Sequence, residues 1–304
     1  MKWSEEQFAD VGSGIEICFQ TVGDPDAEPM LLIMGIGSQM FAWPEGLCEL
    51  LADKGYHVIR FDNRDSGRST WLTEAEVPSV TKAWEHKLDD PPYLFTDMAA
   101  DCVGLFESLA IEAAHVVGAS LGGFVAQTLA IEHPARVCSL ASVMSSTGAG
   151  DVGTPHPEAL ELLMTRPASD LAGYVEGTVA GRKVIGSPGF PTDEQWLRAA
   201  GQIIHERGLN PDGTQRQLVA SICSGNRTER LRELDVPTVV IHGTADILID
   251  PSGGRATAEA VPGAELVMIE GWGHDLPPGI WKRLAEAIVA NAKRVGQLGG
   301  SRPQ

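Results

Sequence analysis

One serine of this 304-residue chain that could do chemistry lies between glycines, in the segment Gly118-Ala119-Ser120-Leu121-Gly122. The segment matches G-x-S-x-G, in which a sharp strand-to-helix turn exposes a serine hydroxyl. The pattern is weak alone, but here an apolar run ends at Gly118 and a helical pattern begins at Leu121. A Cβ at Gly118 or Gly122 is expected to collide with a neighbouring strand or helix. We therefore predict that Ser120 is a nucleophile.

A serine hydroxyl becomes nucleophilic when a base takes its proton and a carboxylate orients that base. His274 lies in Gly271-Trp272-Gly273-His274-Asp275, directly after the last predicted strand of the chain. Asp246 follows the predicted strand before that one. Ligand sites lie at the carboxyl ends of the strands in an open parallel sheet. We therefore predict a triad in which His274 is the base and Asp246 orients it.

Other residues compete for these roles. Asp250, four residues after Asp246, is an alternative acid, but a proline follows it and the next helix is expected to start there. His242 ends a predicted strand and is expected to be structural. Asp275 would raise the basicity of the neighbouring histidine, although a helix N-cap on the surface is the simpler interpretation.

An acyl-transfer intermediate also needs backbone N–H groups that point at its oxyanion. Leu121 follows the predicted nucleophile and would supply one. Ile36 would supply the second, because it lies in the glycine-rich stretch Met34-Gly35-Ile36-Gly37 after a predicted strand. A tight turn that binds nothing is the alternative for this stretch.

A polar loop, Asp62-Asn63-Arg64-Asp65-Ser66-Gly67-Arg68-Ser69, ends another predicted strand. It could be an anion-binding loop, but a packed Asp62–Arg64 ion pair with a glycine turn is favoured. The sequence contains no G-x-G-x-x-G or P-loop motif and no metal-binding histidine pattern such as H-E-x-x-H. No cofactor and no metal are therefore predicted.

The elements that would hold these residues alternate along the chain. Continuous apolar runs are typical of strands in a parallel sheet that is covered on both faces. They predict strands at 15–21, 30–34, 57–62, 114–118, 137–143, 238–243 and 265–270. Helical periodicity covers 96–109 and 121–132, between strands. This alternation predicts an α/β fold with a mostly parallel, doubly wound sheet.

Residues from about 146 to 231 interrupt the alternation, because helical patterns near 158–164, 194–205 and 216–221 follow one another without a strand. We predict a core domain of residues 1–145 and 232–304, with a helical lid, residues 146–231, inserted before the last two strands. Large hydrophobic side chains in the lid could face a pocket, although packing onto the core is the simpler reading for each: Met164, Tyr174, Phe190, Trp196, Ile203 and Ile204.

Composition narrows the classes of partner. The chain has 23 Lys and Arg against 41 Asp and Glu, a formal net charge of −18, which argues against a nucleic acid or a polybasic membrane patch. No apolar run approaches the roughly 20 residues that span a bilayer, and the N-terminus lacks a secretory pattern. The five cysteines are widely spaced and are expected to be reduced, packed thiols. We expect a cytoplasmic monomer or homodimer with a small-molecule substrate.

With these motifs the chain resembles the α/β-hydrolase superfamily over nearly its whole length, apart from the lid. Four segments are similar to the aclacinomycin methylesterase-like group of serine esterases: 23–25 (GDP), 31–35 (LLIMG), 59–69 (IRFDNRDSGRS) and 114–120 (AHVVGAS). Many superfamily members have His-Gly where this chain has Met34-Gly35, and the departure matches the methylesterase group.

The resemblance implies the α/β-hydrolase fold and a triad of Ser120, Asp246 and His274, with oxyanion donors at Ile36 and Leu121. It implies a cofactor-independent carboxylic ester hydrolase that acts on a small-molecule ester through an acyl-enzyme. Two alternatives stay open. The same triad could catalyse perhydrolysis, carbon–carbon bond hydrolysis or lactone opening, or the chain could be a slow-turnover binding protein on this fold.

Overall fold

The computed structural model describes residues 1–295, in which one sheet of eight strands forms the centre of the molecule. The strands are β1 Gln7–Asp10, β2 Glu16–Val22, β3 Glu28–Ile33, β4 Tyr56–Phe61, β5 Ala114–Ala119, β6 Val137–Val143, β7 Thr238–Gly243 and β8 Glu265–Ile269. Their order is β1-β2-β4-β3-β5-β6-β7-β8, and β2 alone runs in the direction opposite to the other seven strands. The predicted mostly parallel sheet is confirmed.

Helices cover both faces of this sheet. They are α1 Glu45–Ala52, α2 Val80–Trp84, α3 Phe95–Ser108, α4 Leu121–Glu132, α5 Pro157–Met164, α6 Leu171–Ile185, α7 Glu194–Arg207, α8 Pro211–Cys223, α9 Thr228–Leu231, α10 Ser252–Ala260 and α11 Pro278–Ala292. Residues from α3 and α4 pack on one face of the sheet, whereas α1 and α11 pack on the other.

Strand β3 shows why the apolar runs are continuous. Leu31 and Ile33 contribute to the core under α3 and α4, whereas Met30 and Leu32 contribute to the core under α1 and α11. Successive side chains of a strand point to opposite faces, so a strand that is covered on both faces needs apolar residues at every position.

The patterns in the sequence do not predict strand β1 or helix α6. Strand β1 pairs with β2 along the sheet edge and is mostly exposed, so it lacks the apolar run of a central strand. Helix α6 carries glycines at 173, 177 and 181, which weaken a helical pattern. Between β6 and β7 the structure shows helices α5 to α9 and no strand within the described residues.

The prediction of an ion pair between Asp62 and Arg64 is wrong. Arg64 instead makes a bidentate pair with Asp101 on α3, with both N···O distances 2.6 Å. Asp62 accepts from the Met40 N–H at 2.7 Å and from the Arg207 guanidinium at 2.8 Å. Both partners lie on other elements, so the loop is a junction between the sheet, α3 and the end of α7.

All five cysteines are free thiols, and three of them are buried. Among residues 1–295, no helix is both long and apolar enough to cross a membrane.

Candidate active site

The turn at Ser120 has the geometry that a nucleophile elbow requires. Ser120 joins β5 to α4 with φ 56° and ψ −123°, a conformation that L residues rarely adopt. A Cβ on Gly118 would lie 2.1 Å from the carbonyl oxygen of Gly122, and a Cβ on Gly122 would lie 2.1 Å from that of Ile33. Glycine is therefore required at both positions for the turn to pack against β3.

His274 and Asp246 form a close pair. The ring nitrogen Nδ1 of His274 lies 2.7 Å from Oδ2 of Asp246. The other carboxylate oxygen accepts from the backbone N–H groups of Leu248 and Ile249, each at 2.9 Å. The structure thus brings together the predicted base and acid, which are 28 residues apart in the chain.

Electrostatics fix the proton on this pair. Burial opposes the charged form of Asp246, but the charge of His274 and the hydrogen bonds from His242 and His274 outweigh it and hold the pKa of Asp246 well below its usual range. An ionised carboxylate only accepts hydrogen bonds, so Nδ1 of His274 carries the proton. Nε2 is left as the nitrogen that can act as a base.

The alternatives for the acid and base have other partners. Asp250 accepts from the Ser252 N–H at 2.9 Å, at the start of α10. His242 is fully buried, and its Nε2 lies 2.8 Å from the Ile249 carbonyl oxygen and 3.3 Å from Asp246 Oδ2. His242 therefore packs behind Asp246, on the loop that holds the carboxylate.

The interpretation of Asp275 as a surface helix cap is wrong. Its side chain is buried, it accepts a hydrogen bond from the Ser187 hydroxyl, and it lies 3.4 Å from the Arg182 guanidinium of α6. Burial raises the pKa of Asp275, although Arg182 and Ser187 act in the opposite direction. The backbone N–H of His274 also donates to the Ile185 carbonyl at 2.7 Å, so the end of α6 holds the histidine loop.

The two predicted oxyanion donors belong to the elements that meet at Ser120. A Cβ on Gly35 would lie 3.1 Å from the Ser120 Cβ, so the stretch after β3 abuts the turn. Leu121 is the first residue of α4, so the N–H of Leu121 has no partner within the helix. Within residues 1–295, the Ile36 N–H likewise donates to no backbone or side-chain acceptor.

Ser120 and His274 open onto one cavity of about 350 Å³. Its walls are mostly apolar, from Met34, Ile36, Met144, Leu162, Leu163, Tyr174, Ile185, Leu248 and Leu276, with Arg182 and Asp275 as the charged pair. No hydrogen bond joins the Ser120 hydroxyl to the His274 ring in the described part of the chain. Among the six large hydrophobic residues singled out between 146 and 231, Tyr174 is the one on the cavity wall.

A larger groove, of about 1010 Å³, lies at the opposite edge of the sheet. It runs beside Val137 and Pro237, where β6 and β7 begin, and holds none of the candidate residues. Within residues 1–295, no three His, Cys, Asp or Glu side chains are placed to hold a metal ion.

Sequence reasoning missed Gln217, Gln39 and Arg207, which are buried beside the loop after β3. Gln217 accepts from the Gly37 N–H at 2.7 Å, and Gln39 accepts from Arg207 at 2.6 Å. Apolar spacing carries no information about such polar partners, which are more than 160 residues apart in the chain.

Known proteins are similar to this chain over most of its length. Rhodomycin D methylesterase DauP from Streptomyces sp. (strain C5) is 29% identical, with 90% of this chain and 93% of that protein covered. Rhodomycin D methylesterase DnrP from Streptomyces peucetius gives the same three values. The solved enol-lactonase from Burkholderia xenovorans LB400 superposes with a TM-score of 0.72 at 21% identity, covering 94% of this chain and all of that one.

The model of the α/β hydrolase fold family matches residues 28–277, which include every candidate residue from Ile36 to His274. The fold, the sheet order and the turn at Ser120 agree with that match. The chain belongs to the α/β hydrolase fold family.

Proposed function

We propose that the protein is a carboxylic ester hydrolase that acts through Ser120, His274 and Asp246. The observation that carries the proposal is the 2.7 Å contact between His274 Nδ1 and Asp246 Oδ2, beside a cavity that Ser120 also lines. Two relatives named as methylesterases support an ester substrate.

In the first half of the reaction, Ser120 Oγ attacks the ester carbonyl while Nε2 of His274 takes its proton. Asp246 keeps the other ring proton on Nδ1 and stabilises the imidazolium that forms. The backbone N–H groups of Ile36 and Leu121 stabilise the oxyanion of the tetrahedral intermediate. His274 then gives its proton to the leaving alcohol, and the acyl group stays on Ser120.

Water completes the second half. His274 takes a proton from the water as it attacks the acyl-enzyme, and the oxyanion forms again on the same two donors. Collapse of this intermediate releases the carboxylic acid, and His274 returns the proton to Ser120. The cycle therefore consumes one water, releases the acid and the alcohol, and restores the free enzyme without a cofactor.

We also propose that residues 146–231 act as the lid of this site. Leu162, Tyr174 and Ile185 come from α5 and α6 and form part of the cavity wall. A substrate with an apolar acyl part fits these walls, because transfer of apolar surface from water into such a pocket is favourable.

The test is hydrolysis of a panel of methyl and p-nitrophenyl esters of graded acyl length, with the Ser120→Ala variant beside the wild type. We expect Ser120→Ala to lower turnover by about 10³-fold or more with the fold intact. Equal turnover by the two proteins would refute the proposal. Lactone and β-diketone substrates in the same panel separate an esterase from an enzyme that uses this triad for another bond.

A further inference from the structure

Gln217 of α8 is a buried side chain whose amide joins two separate loops. Its Oε1 accepts from the Gly37 N–H at 2.7 Å. Its Nε2 donates to the Arg64 carbonyl at 2.8 Å and to the Ser66 hydroxyl at 3.0 Å. The side chain is inaccessible to solvent, and each of its three hydrogen bonds goes to a residue more than 150 positions away.

The same helix supports this stretch in two other ways. Gly37 has φ 60°, and a Cβ there would lie 2.7 Å from the Thr214 hydroxyl oxygen, so the backbone lies directly against α8. Ile36 packs on the apolar cluster that contains Leu218 and Val219 of α8. The stretch that carries the Ile36 N–H therefore lies between the Ser120 turn and α8.

Helix α8 is itself fixed to the core. The Arg216 guanidinium makes a bidentate pair with Asp65, with both N···O distances 2.7 Å, and both side chains are buried. Asp65 also accepts from the Tyr93 hydroxyl at 3.0 Å. Neighbouring residues of one helix thus bind the loop after β4 and the loop after β3.

We propose that Gln217 is a positioning residue that holds the Ile36 N–H in the direction that an oxyanion requires; this inference rests on the proposed function. Glycines flank Ile36 on both sides, so its peptide planes can rotate at low cost unless a neighbour fixes them. The hydrogen bond from the Gly37 N–H to Gln217 fixes the next peptide in the chain. A donor contributes to transition-state stabilisation only when it is already directed at the developing charge.

The test compares Gln217→Met with Gln127→Met. Gln127 of α4 is a matched control, because it is equally buried and binds Ser142 and Arg227 instead of the stretch after β3. Both changes remove a buried amide and retain the side-chain length. We expect Gln217→Met to lower kcat by about tenfold or more with KM within about threefold, since loss of a whole oxyanion donor costs about 10²–10³-fold. Gln127→Met is expected to retain kcat.

A trifluoromethyl ketone gives a second readout, because it adds to a serine and forms a stable oxyanion. Its affinity is expected to fall in Gln217→Met by about the same factor as kcat/KM. Unchanged kcat in Gln217→Met, an equal loss in Gln127→Met, or a rise in KM alone would overturn the proposal. If Ser120→Ala is as active as the wild type, the proposed function itself has failed.

Hydrogen exchange in the wild type tests the hydrogen bond even if Gln217→Met does not fold. The Gly37 amide is expected to exchange slowly, because it donates to a buried acceptor. Exchange at the rate of an open loop in the folded wild type would contradict the proposal.

Discussion

The change Asp246→Asn tests the electrostatics of the candidate site most sharply. The carboxylate accepts from the N–H groups of Leu248 and Ile249 on one oxygen and from His274 on the other. An asparagine retains its oxygen for the two backbone donors, so its NH₂ group faces His274. Two donors cannot bind each other, and the ring must then turn a lone pair at Nδ1 toward the amide.

The magnitude follows from that tautomer. With the ring proton moved to Nε2, His274 cannot accept the Ser120 proton. A serine triad with the wrong histidine tautomer loses about 10⁴ in kcat, which is about 5.4 kcal/mol in activation free energy at 1.36 kcal/mol per tenfold. We therefore expect Asp246→Asn to remain folded and to hydrolyse esters at about 10⁻⁴ of the wild-type kcat.

The assay is kcat for an activated ester, with thermal unfolding as the check on folding and Asp250→Asn as the control. Asp250 lies on the same loop but binds Ser252, so Asp250→Asn is expected to retain kcat within a few-fold. An Asp246→Asn enzyme within tenfold of the wild type would refute the tautomer argument. A comparable loss in Asp250→Asn would show that disturbance of the loop explains the result.

The same pair predicts a dependence of stability on pH. The pKa of Asp246 is lower in the folded chain than its ordinary value, so its contribution to stability is fully present above about pH 4 and is lost as the pH falls through the folded pKa. The difference in free energy of unfolding between the wild type and Asp246→Asn is therefore expected to shrink in acid. Denaturant titrations at pH 6 and pH 3 measure it, and a difference that grows in acid would contradict the sign.

Two further changes test the turn at Ser120 and the attachment of α8. Ser120 has φ 56°, in a region that costs a non-glycine residue about 1–3 kcal/mol. The free energy of unfolding of Ser120→Gly is therefore expected to exceed that of Ser120→Ala by about 1 kcal/mol or more. Equal denaturation midpoints of the two variants would contradict backbone strain at this position. Arg216→Met leaves Asp65 buried without its cation and is expected to destabilise the fold by about 3–5 kcal/mol. A loss under about 1 kcal/mol in urea unfolding would contradict the expected cost of a buried carboxylate that has lost its cation.

The fold and the candidate residues could be predicted because both depend on local patterns. The central strands are covered on both faces, so β3 and its neighbours read as continuous apolar runs. The turn at Ser120 needs glycines at fixed spacing, and the loops after β7 and β8 present Asp246 and His274 at one edge of the sheet. These are short-range requirements that a single sequence displays.

The partners of the charged residues could not be predicted, because long-range packing selects them. Arg64 had carboxylates two positions away and one position away in the chain, yet it binds Asp101 on α3. The position of Asp275 before a helix predicts that it lies at the surface, but the end of α6 covers it. Gln217 carries no signal beyond its polarity, and its role depends on how α8 docks.

The central claim is that Ser120 is a nucleophile activated by His274 and Asp246, and its most direct test is covalent labelling. A fluorophosphonate is expected to react once per chain at Ser120, as located by mass spectrometry of the digested protein, and much more slowly in the Asp246→Asn variant. Labelling at another residue, or an unlabelled Ser120 in active protein, would contradict the account.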